Sequence, residues 1–147
     1  MITVDNFNVI DEEYNRIMER NAELLDKQEE MLLDQPEKYK SLIELYKNKG
    51  YKFKHPEIKH GSLGGPVIGY YPSEHSLVVY VLDKGFVKVD LNTNEIKNTF
   101  ARTLIRDGLF EQAMQGFKFL EVMLDDYKKD LEMQASELEK EINKYSN

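Results

Sequence analysis

Nine basic and aromatic residues that could bind an anion lie close together near the middle of the chain. They are Lys47, Lys49, Tyr51, Lys52, Phe53, Lys54, His55, Lys59 and His60. Lysines beside phosphates, together with aromatic rings that stack on bases, are a common way to hold nucleotides and single strands. Glycines follow at once in the stretch GSLGG, and backbone N–H groups of such loops can also bind anions. The segment therefore predicts a ligand- or partner-binding surface.

The same segment can also be interpreted as a plain connection between a helix and a sheet. Tyr51, Phe53 and Ile58 would then anchor it in the core while the lysines stay in water. Neither a G-x-x-x-x-G-K-[ST] nor a G-x-G-x-x-G phosphate motif is present. The sequence leaves three interpretations open: a connection, a surface for an acidic protein partner, and a site for a nucleotide or another small anion.

The stretch HPEIKH, from His55 to His60, contains three side chains that could bind a metal ion. In the H-E-x-x-H motif the two histidines lie one helical turn apart. Here Pro56 and the wider spacing of the histidines break that geometry. The H-x-E pattern of deaminases also needs a P-C-x-x-C, and the chain has no cysteine. We therefore predict neither a metal site nor a cofactor.

A second pattern with catalytic potential lies further along the chain. Asp83 or Asp90, followed by Glu95 and Lys97, resembles the D…E-x-K arrangement of restriction-type nucleases. In those enzymes the carboxylates hold a divalent metal and the lysine helps a water molecule attack phosphate. The alternative is that these are solvated charges beside a tight turn. A metal-dependent nuclease is therefore one alternative function.

Composition narrows the class of protein. A chain of 147 residues fits one domain, and the lack of cysteine excludes disulfides and cysteine nucleophiles. The net charge of −7 would repel nucleic acid overall. Neither a signal-peptide pattern nor an apolar run of about 20 residues is present, so we expect a cytoplasmic protein that does not enter a membrane. The abundance of Lys, Asn and Tyr suggests an AT-rich bacterial or phage genome.

Helical periodicity dominates the N-terminal part. Apolar residues recur at alternating steps of four and three, which predicts an amphipathic helix. This seam consists of Ile10, Tyr14, Ile17, Asn21, Leu24, Gln28 and Met31, beside a second row of Met18, Leu25 and Leu32. Asp11 is expected to cap the helix. Pro36 is expected to end it and to begin a second helix that stops at Gly50.

The same periodicity returns after Thr99. It predicts a break near Gly108 and then one helix from about Leu109 to Tyr145, about 55 Å long. The seam consists of Phe110, Ala113, Phe117, Leu120, Leu124, Tyr127, Leu131, Gln134 and Leu138. Such a helix is longer than a compact domain of this size, so part of it must project or pair. The first helix is expected to cover one part and a second copy of the chain the rest, in a coiled-coil homo-oligomer.

Between the helices the period changes to that of strands. The runs VIGYY, SLVVYVL and FVKVDL, followed by Glu95–Asn98, predict four antiparallel strands in meander order. Gly85 is expected to take a positive φ in the hairpin after Asp83.

These patterns predict an α+β fold in one domain spanning 1–147. Its parts are a helical segment (1–49), a basic, Gly-rich connection (50–66), a β-meander (67–98) and a long helix (99–147). The function predicted first is a non-enzymatic, oligomeric binding protein, an adaptor or inhibitor of a host protein from a phage or mobile element. Its expected partners are itself and another protein. A nucleotide-sequestering protein that uses the 47–65 loop is a further alternative.

Overall fold

The computed structural model describes residues 1–146 and has the predicted α+β architecture. Helix α1 spans Val4–Lys49, and strands β1 to β4 span Val67–Tyr71, Ser76–Val81, Gly85–Asp90 and Ile96–Asn98. Helices α2 (Ala101–Arg106) and α3 (Phe110–Lys118) follow, then a 3₁₀ turn (Phe119–Glu121) and helix α4 (Met123–Tyr145). Asn147, the last residue of the predicted long-helix segment, lies outside the described residues. No helix of residues 1–146 combines the length and the apolar character that a membrane crossing requires.

The sheet is the predicted meander, with four antiparallel strands in the order β1-β2-β3-β4. Gly85 has a φ of +85°, as the tight β2–β3 hairpin requires. Alternate residues divide between two apolar layers, because successive side chains of a strand point to opposite faces. Ile68, Val78 and Phe86 join the core under the helices. Val67, Val79 and Val87 form the second layer, against which Ile58 of the connection packs.

Helix α1 begins earlier than predicted and does not end at Pro36. The Thr3 hydroxyl accepts the N–H of Asn6 while the Asn6 side chain accepts the N–H of Thr3. This capping box starts the helix a full two turns before Asp11, so the predicted cap was wrong. Pro36 lies inside the helix, where a proline costs about 3 kcal/mol. Burial of residues on both sides of it, among them Leu32 and Tyr39, offsets that cost.

The helix ends where the sequence predicts. Gly50 has a φ of +79°, and its N–H bonds to the carbonyl of Lys47. With 46 residues, α1 is about 69 Å long. Its buried residues are Leu32, Tyr39, Ile43 and Tyr46, which all lie in its C-terminal half. Residues 4–24, which precede the first hydrogen bond from α1 to the rest of the molecule at Asp26, are here called the N-terminal arm.

The C-terminal segment is not the single helix that the periodicity predicts. The break near Gly108 is confirmed, with a φ of +76° at that glycine. A second break follows at the 3₁₀ turn, where Leu120 and Met123 are both buried and Val122 leaves the helical conformation. The first half of the predicted seam, including Phe117, therefore belongs to the core. Beyond it, residues 128–145 of α4 are exposed on every side and are here called the C-terminal arm.

The part of the molecule between the two arms, residues 25–127, is here called the body. Tyr39 and Gly65 provide two tests of how tightly the body is packed. Tyr39 is buried and its hydroxyl donates a hydrogen bond to the carboxylate of Glu121. Gly65 is buried where the connection reaches β2, and the N–H of Tyr80 bonds to the neighbouring Pro66 carbonyl. Both residues therefore join separate elements of the body.

Gly65→Ala should destabilise the protein because a Cβ atom there would overlap the backbone carbonyl of Tyr80. Overpacking against an immobile backbone should lower the free energy of unfolding by at least about 2 kcal/mol. Gly64→Ala is the matched control, since its Cβ would lie an ordinary 3.7 Å from a Val81 methyl group. That variant should stay within about 0.5 kcal/mol of wild type in urea denaturation. Equal effects at the two positions would contradict the close packing described.

The stability of the protein should fall at high pH through Tyr39. Burial and then the hydrogen bond to Glu121 raise the pKa of Tyr39 from 10.0 to about 12. The folded state therefore keeps this proton to a higher pH than the unfolded state does. The resulting stability is complete below pH 10 and is lost as the pH rises through 12. Thermal melts of wild type and Tyr39→Phe should differ in pH dependence only in this window, and parallel curves would contradict the assignment.

Candidate functional site

The predicted binding residues meet at the junction of α1, the sheet and α4, but two of them are not on the surface. Phe53 is 0% exposed, and its backbone pairs with Ser62 in a single antiparallel bridge. His55 is 6% exposed. Tyr51 is half-buried and packs its ring on Tyr46 and Tyr127. Placing Phe53 and His55 in a ligand-binding surface is therefore corrected: these two side chains are interior.

Both ring nitrogens of His55 form hydrogen bonds to neighbouring residues. Its Nδ1 accepts a hydrogen bond from the N–H of Glu57 at 3.0 Å, so the ring proton is on Nε2. The Nε2–H group donates a hydrogen bond to the carbonyl of Gln112 at 2.8 Å. Burial lowers the pKa of His55 below its usual value, which keeps the ring neutral. With both nitrogens engaged, this histidine ties the connection to α3 and has no free position for a ligand.

Lys54 is engaged by the start of α4. Its ammonium group lies 3.2 Å from Asp126, 3.3 Å from Asp130 and 4.0 Å from the centre of the Tyr127 ring. Partial burial opposes the charge, but the hydrogen bonds to Asp126 and Asp130 outweigh it and raise the pKa of Lys54. The side chain therefore fixes the direction in which α4 leaves the body.

The remaining lysines of the segment have different surroundings. Lys47 and Lys49 lie in the last turn of α1, where positive charge complements the helix dipole. Lys47 also borders a mixed-charge cleft of about 600 Å³ beside Asp83. The Lys52 stem lies against Gly61, and Lys59 is exposed.

His60 belongs to a small aromatic cluster that the sequence did not reveal. Its ring centre lies 5.2 Å from that of Tyr70 and 5.4 Å from that of His75. The Tyr70 hydroxyl is 2.8 Å from Nδ1 of His75. Each ring is half-buried, and the cluster closes the β1–β2 hairpin against the connection. The turn between β1 and β2, in which His75 has a φ of +50°, brings the Tyr70 and His75 rings together, so spacing alone did not predict the cluster.

The D…E-x-K pattern is assembled only in part. Asp90, Glu95 and Lys97 line a shallow polar cleft of about 260 Å³. Asp83 lies at the opposite end of β3. Asp90 accepts the N–H groups of Asn92 at 2.8 Å and Thr93 at 3.2 Å and thereby closes the β3–β4 turn. Within residues 1–146, no three His, Cys, Asp or Glu side chains are grouped to hold a metal ion.

More than half of the exposed large apolar side chains of residues 1–146 lie on the two arms. In the N-terminal arm the exposed large side chains are Val4, Phe7, Val9, Ile10, Tyr14, Ile17, Met18 and Leu24. In the C-terminal arm they are Leu131, Met133, Leu138, Ile142 and Tyr145. The first helix covers one part of the predicted C-terminal seam, as expected, since Tyr39 stacks on Phe117 and Tyr46 hydrogen-bonds to Leu120. The two arms themselves do not cover each other and are exposed. Exposed apolar patches beyond a few hundred Å² mark interaction sites in monomeric proteins.

An apolar cleft of about 200 Å³ lies at the base of the N-terminal arm, between α1 and α2. Ala22, Leu25 and Ile105 form its apolar wall. Arg102 closes one side by pairing with Asp26 at 3.1 Å and Glu29 at 2.7 Å. No sequence pattern predicts this cleft, because it depends on α2 crossing α1.

No family model, curated protein or solved structure matches the chain. Function must therefore be inferred from the surfaces of the molecule itself.

Reversing the charge of Lys54 should weaken the attachment of α4. Lys54→Glu would place a third carboxylate beside Asp126 and Asp130. Because these groups are partly exposed and screened, we expect a loss of about 1 kcal/mol in the free energy of unfolding. Lys59→Glu is the control, since Lys59 is exposed and lies outside any helix, and it should change stability by less than about 0.5 kcal/mol. Urea denaturation measures both, and an equal or larger loss at Lys59 would contradict the assigned role.

Proposed function

We propose that the protein is a non-catalytic, self-associating binding protein, an adaptor or inhibitor, whose helical arms are covered by other chains. The observation that carries this proposal is the apolar seam left exposed on both arms. Helices in proteins owe most of their stability to packing of an apolar face rather than to intrinsic propensity. An arm with an uncovered seam lacks that packing, and another chain would supply it.

The body supports this function as a rigid base for the arms. Lys54 and the Tyr46 hydroxyl hold the start of α4 against the end of α1. Arg102 holds the other end of the packed region of α1 through Asp26 and Glu29. The points at which both arms leave the body are thus set by specific polar contacts, as an assembly of defined geometry needs.

The alternatives have less support from the geometry. A nucleotide-binding loop needs positive side chains that converge with stacking rings. Here Phe53 is buried and Lys54 is held by α4. A D…E-x-K nuclease needs converging carboxylates, and Asp83 lies apart from Asp90 and Glu95. If the composition reflects a phage or mobile-element source, a host protein is the partner that this proposal implies.

Leu131→Asp should weaken the assembly. Leu131 lies on the C-terminal seam with Leu138, and a covered leucine is worth roughly 1.5–3 kcal/mol, or about 10- to 100-fold in a dissociation constant. Met133→Asp is the matched control, because Met133 is equally exposed, 68% against 65%, but lies about 200° around the helix from Leu131.

Light scattering at micromolar concentration measures both variants. Wild type should have at least twice the chain mass of 17.3 kDa, Leu131→Asp should have a lower average mass, and Met133→Asp should match wild type. A wild-type monomer, or equal loss in the two variants, would contradict the proposal. A retained cooperative unfolding transition in urea confirms that the body of each variant is folded.

A further inference from the structure

We propose that the N-terminal arm packs antiparallel against the N-terminal arm of a second copy of this chain. This inference rests on the proposed self-association and adds a second interface with a defined register. The arm is free up to residue 24, and the first polar contact with the body is that of Asp26 with Arg102. Apart from half-buried Asn6, every residue of the arm is exposed.

The length of the free arm sets the overlap. Its seam runs along Phe7, Ile10, Tyr14, Ile17, Asn21 and Leu24, at alternating steps of three and four. In one antiparallel register, every seam residue of one arm faces a seam residue of the second copy. All the paired residues lie within the two arms. Phe7 then faces Leu24 of the second copy, and Tyr14 faces Ile17. The overlap is about 26 Å long at 1.5 Å per residue.

The charges beside the seam fit this register. Glu13 and Arg20 each immediately precede a seam residue and so lie on the same flank. In the antiparallel pair, Glu13 lies within about 3 Å, measured along the helix axis, of Arg20 of the second copy. By symmetry the pair occurs twice. Parallel pairing would instead place Glu13 and Arg20 beside Met18 and Leu25, without a charge partner.

Three of the six acidic residues of the arm lie away from the second copy. Asp5, Glu12 and Glu19 recur every seven residues on the helix face opposite the seam, where they stay in water. Arg20 has only an exposed contact with Glu23, at 3.5 Å, in the single chain. Exposed pairs of this kind contribute little, so Arg20 is free to pair across the interface.

The register also gives the tip of the arm a place to bind. Val4 is 93% exposed and lies on the other flank of the seam. It reaches the height of Leu25 of the second copy, whose side chain lines the apolar cleft with Ala22 and Ile105. The cleft and the tip are therefore complementary parts of the same interface, and each is present twice in the pair.

Thiol cross-linking tests the pairing directly, because the chain has no cysteine of its own. We would label Phe7→Cys and Leu24→Cys variants with different tags and treat them with a short bifunctional thiol reagent. The mixture should form a cross-linked heterodimer, and neither variant alone should form a dimer. Self-cross-linking of Leu24→Cys would show parallel pairing and overturn the proposal. No cross-link in any sample would overturn it as well.

A charge swap in the Leu131→Asp background isolates this interface. Glu13→Arg should raise the dissociation constant of the remaining dimer about tenfold, since it places like charges opposite twice. Adding Arg20→Glu should restore it to within about twofold. A double variant that binds no tighter than Glu13→Arg would overturn the proposal.

These outcomes separate the N-terminal pairing from the proposed function. If the mass still depends on Leu131 while the cross-linking and charge-swap tests fail, only the N-terminal pairing is wrong. A monomeric wild type overturns the proposed function as well.

Discussion

The hydroxyl group of Tyr46 fixes the relation between the two helices from which the arms extend. It donates a hydrogen bond to the carbonyl of Leu120 at 2.8 Å and accepts the N–H of Leu124 at 3.0 Å. Helix α4 begins without a side-chain cap, so this hydroxyl satisfies one of its free N–H groups. Tyr46 is buried, and a group left unsatisfied there would cost about 1–3 kcal/mol. These two hydrogen bonds therefore hold the start of α4 in a defined direction relative to the end of α1.

The basic and aromatic segment surrounds this hydrogen-bonded junction. The rings of Tyr51 and Phe53 lie 5.9 and 6.0 Å from that of Tyr46, both edge to face. Tyr127 of α4 packs on Tyr51, and its hydroxyl donates to the carbonyl of Lys52. The composition that suggests an anion-binding loop thus also suits a joint, in which aromatic rings form the interior and Lys54 reaches acids on α4. Of the basic residues predicted to form a binding surface, Lys47, Lys49, Lys52 and Lys59 are exposed.

Local signals in the sequence were sufficient for much of the fold. Alternation and turn residues predicted the meander, and Gly50 and Gly108 marked helix ends because each takes a positive φ. Features that depend on distant contacts were not predictable in this way. Pro36 normally ends a helix, and only burial of its neighbours against the sheet and α3 keeps it inside one. The 3₁₀ turn contains neither Gly nor Pro and occurs where the chain meets Tyr46.

The candidate sites, like the fold, were predictable where local patterns determine them and not where distant contacts do. The apolar seams of the arms were readable from period alone, whereas their exposure depends on which helices meet. Nothing in the sequence distinguishes a buried Phe53 or His55 from an exposed one, because the connection has no regular period. The E-x-K spacing did bring Glu95 and Lys97 to one cleft, but hydrogen bonds to the turn determine what Asp90 does there. Sequence spacing thus predicted which side chains lie close together, but the hydrogen-bond partners of each side chain determine what it can do chemically.

Amide hydrogen exchange at several protein concentrations tests most directly whether other chains cover the arms. Amides of residues 7–24 and 128–142 should be protected in concentrated samples and should lose protection on dilution. Amides of the sheet and α3 should keep theirs throughout, because their burial lies within one chain. Arms that exchange freely at every concentration, beside a protected body, would contradict this account.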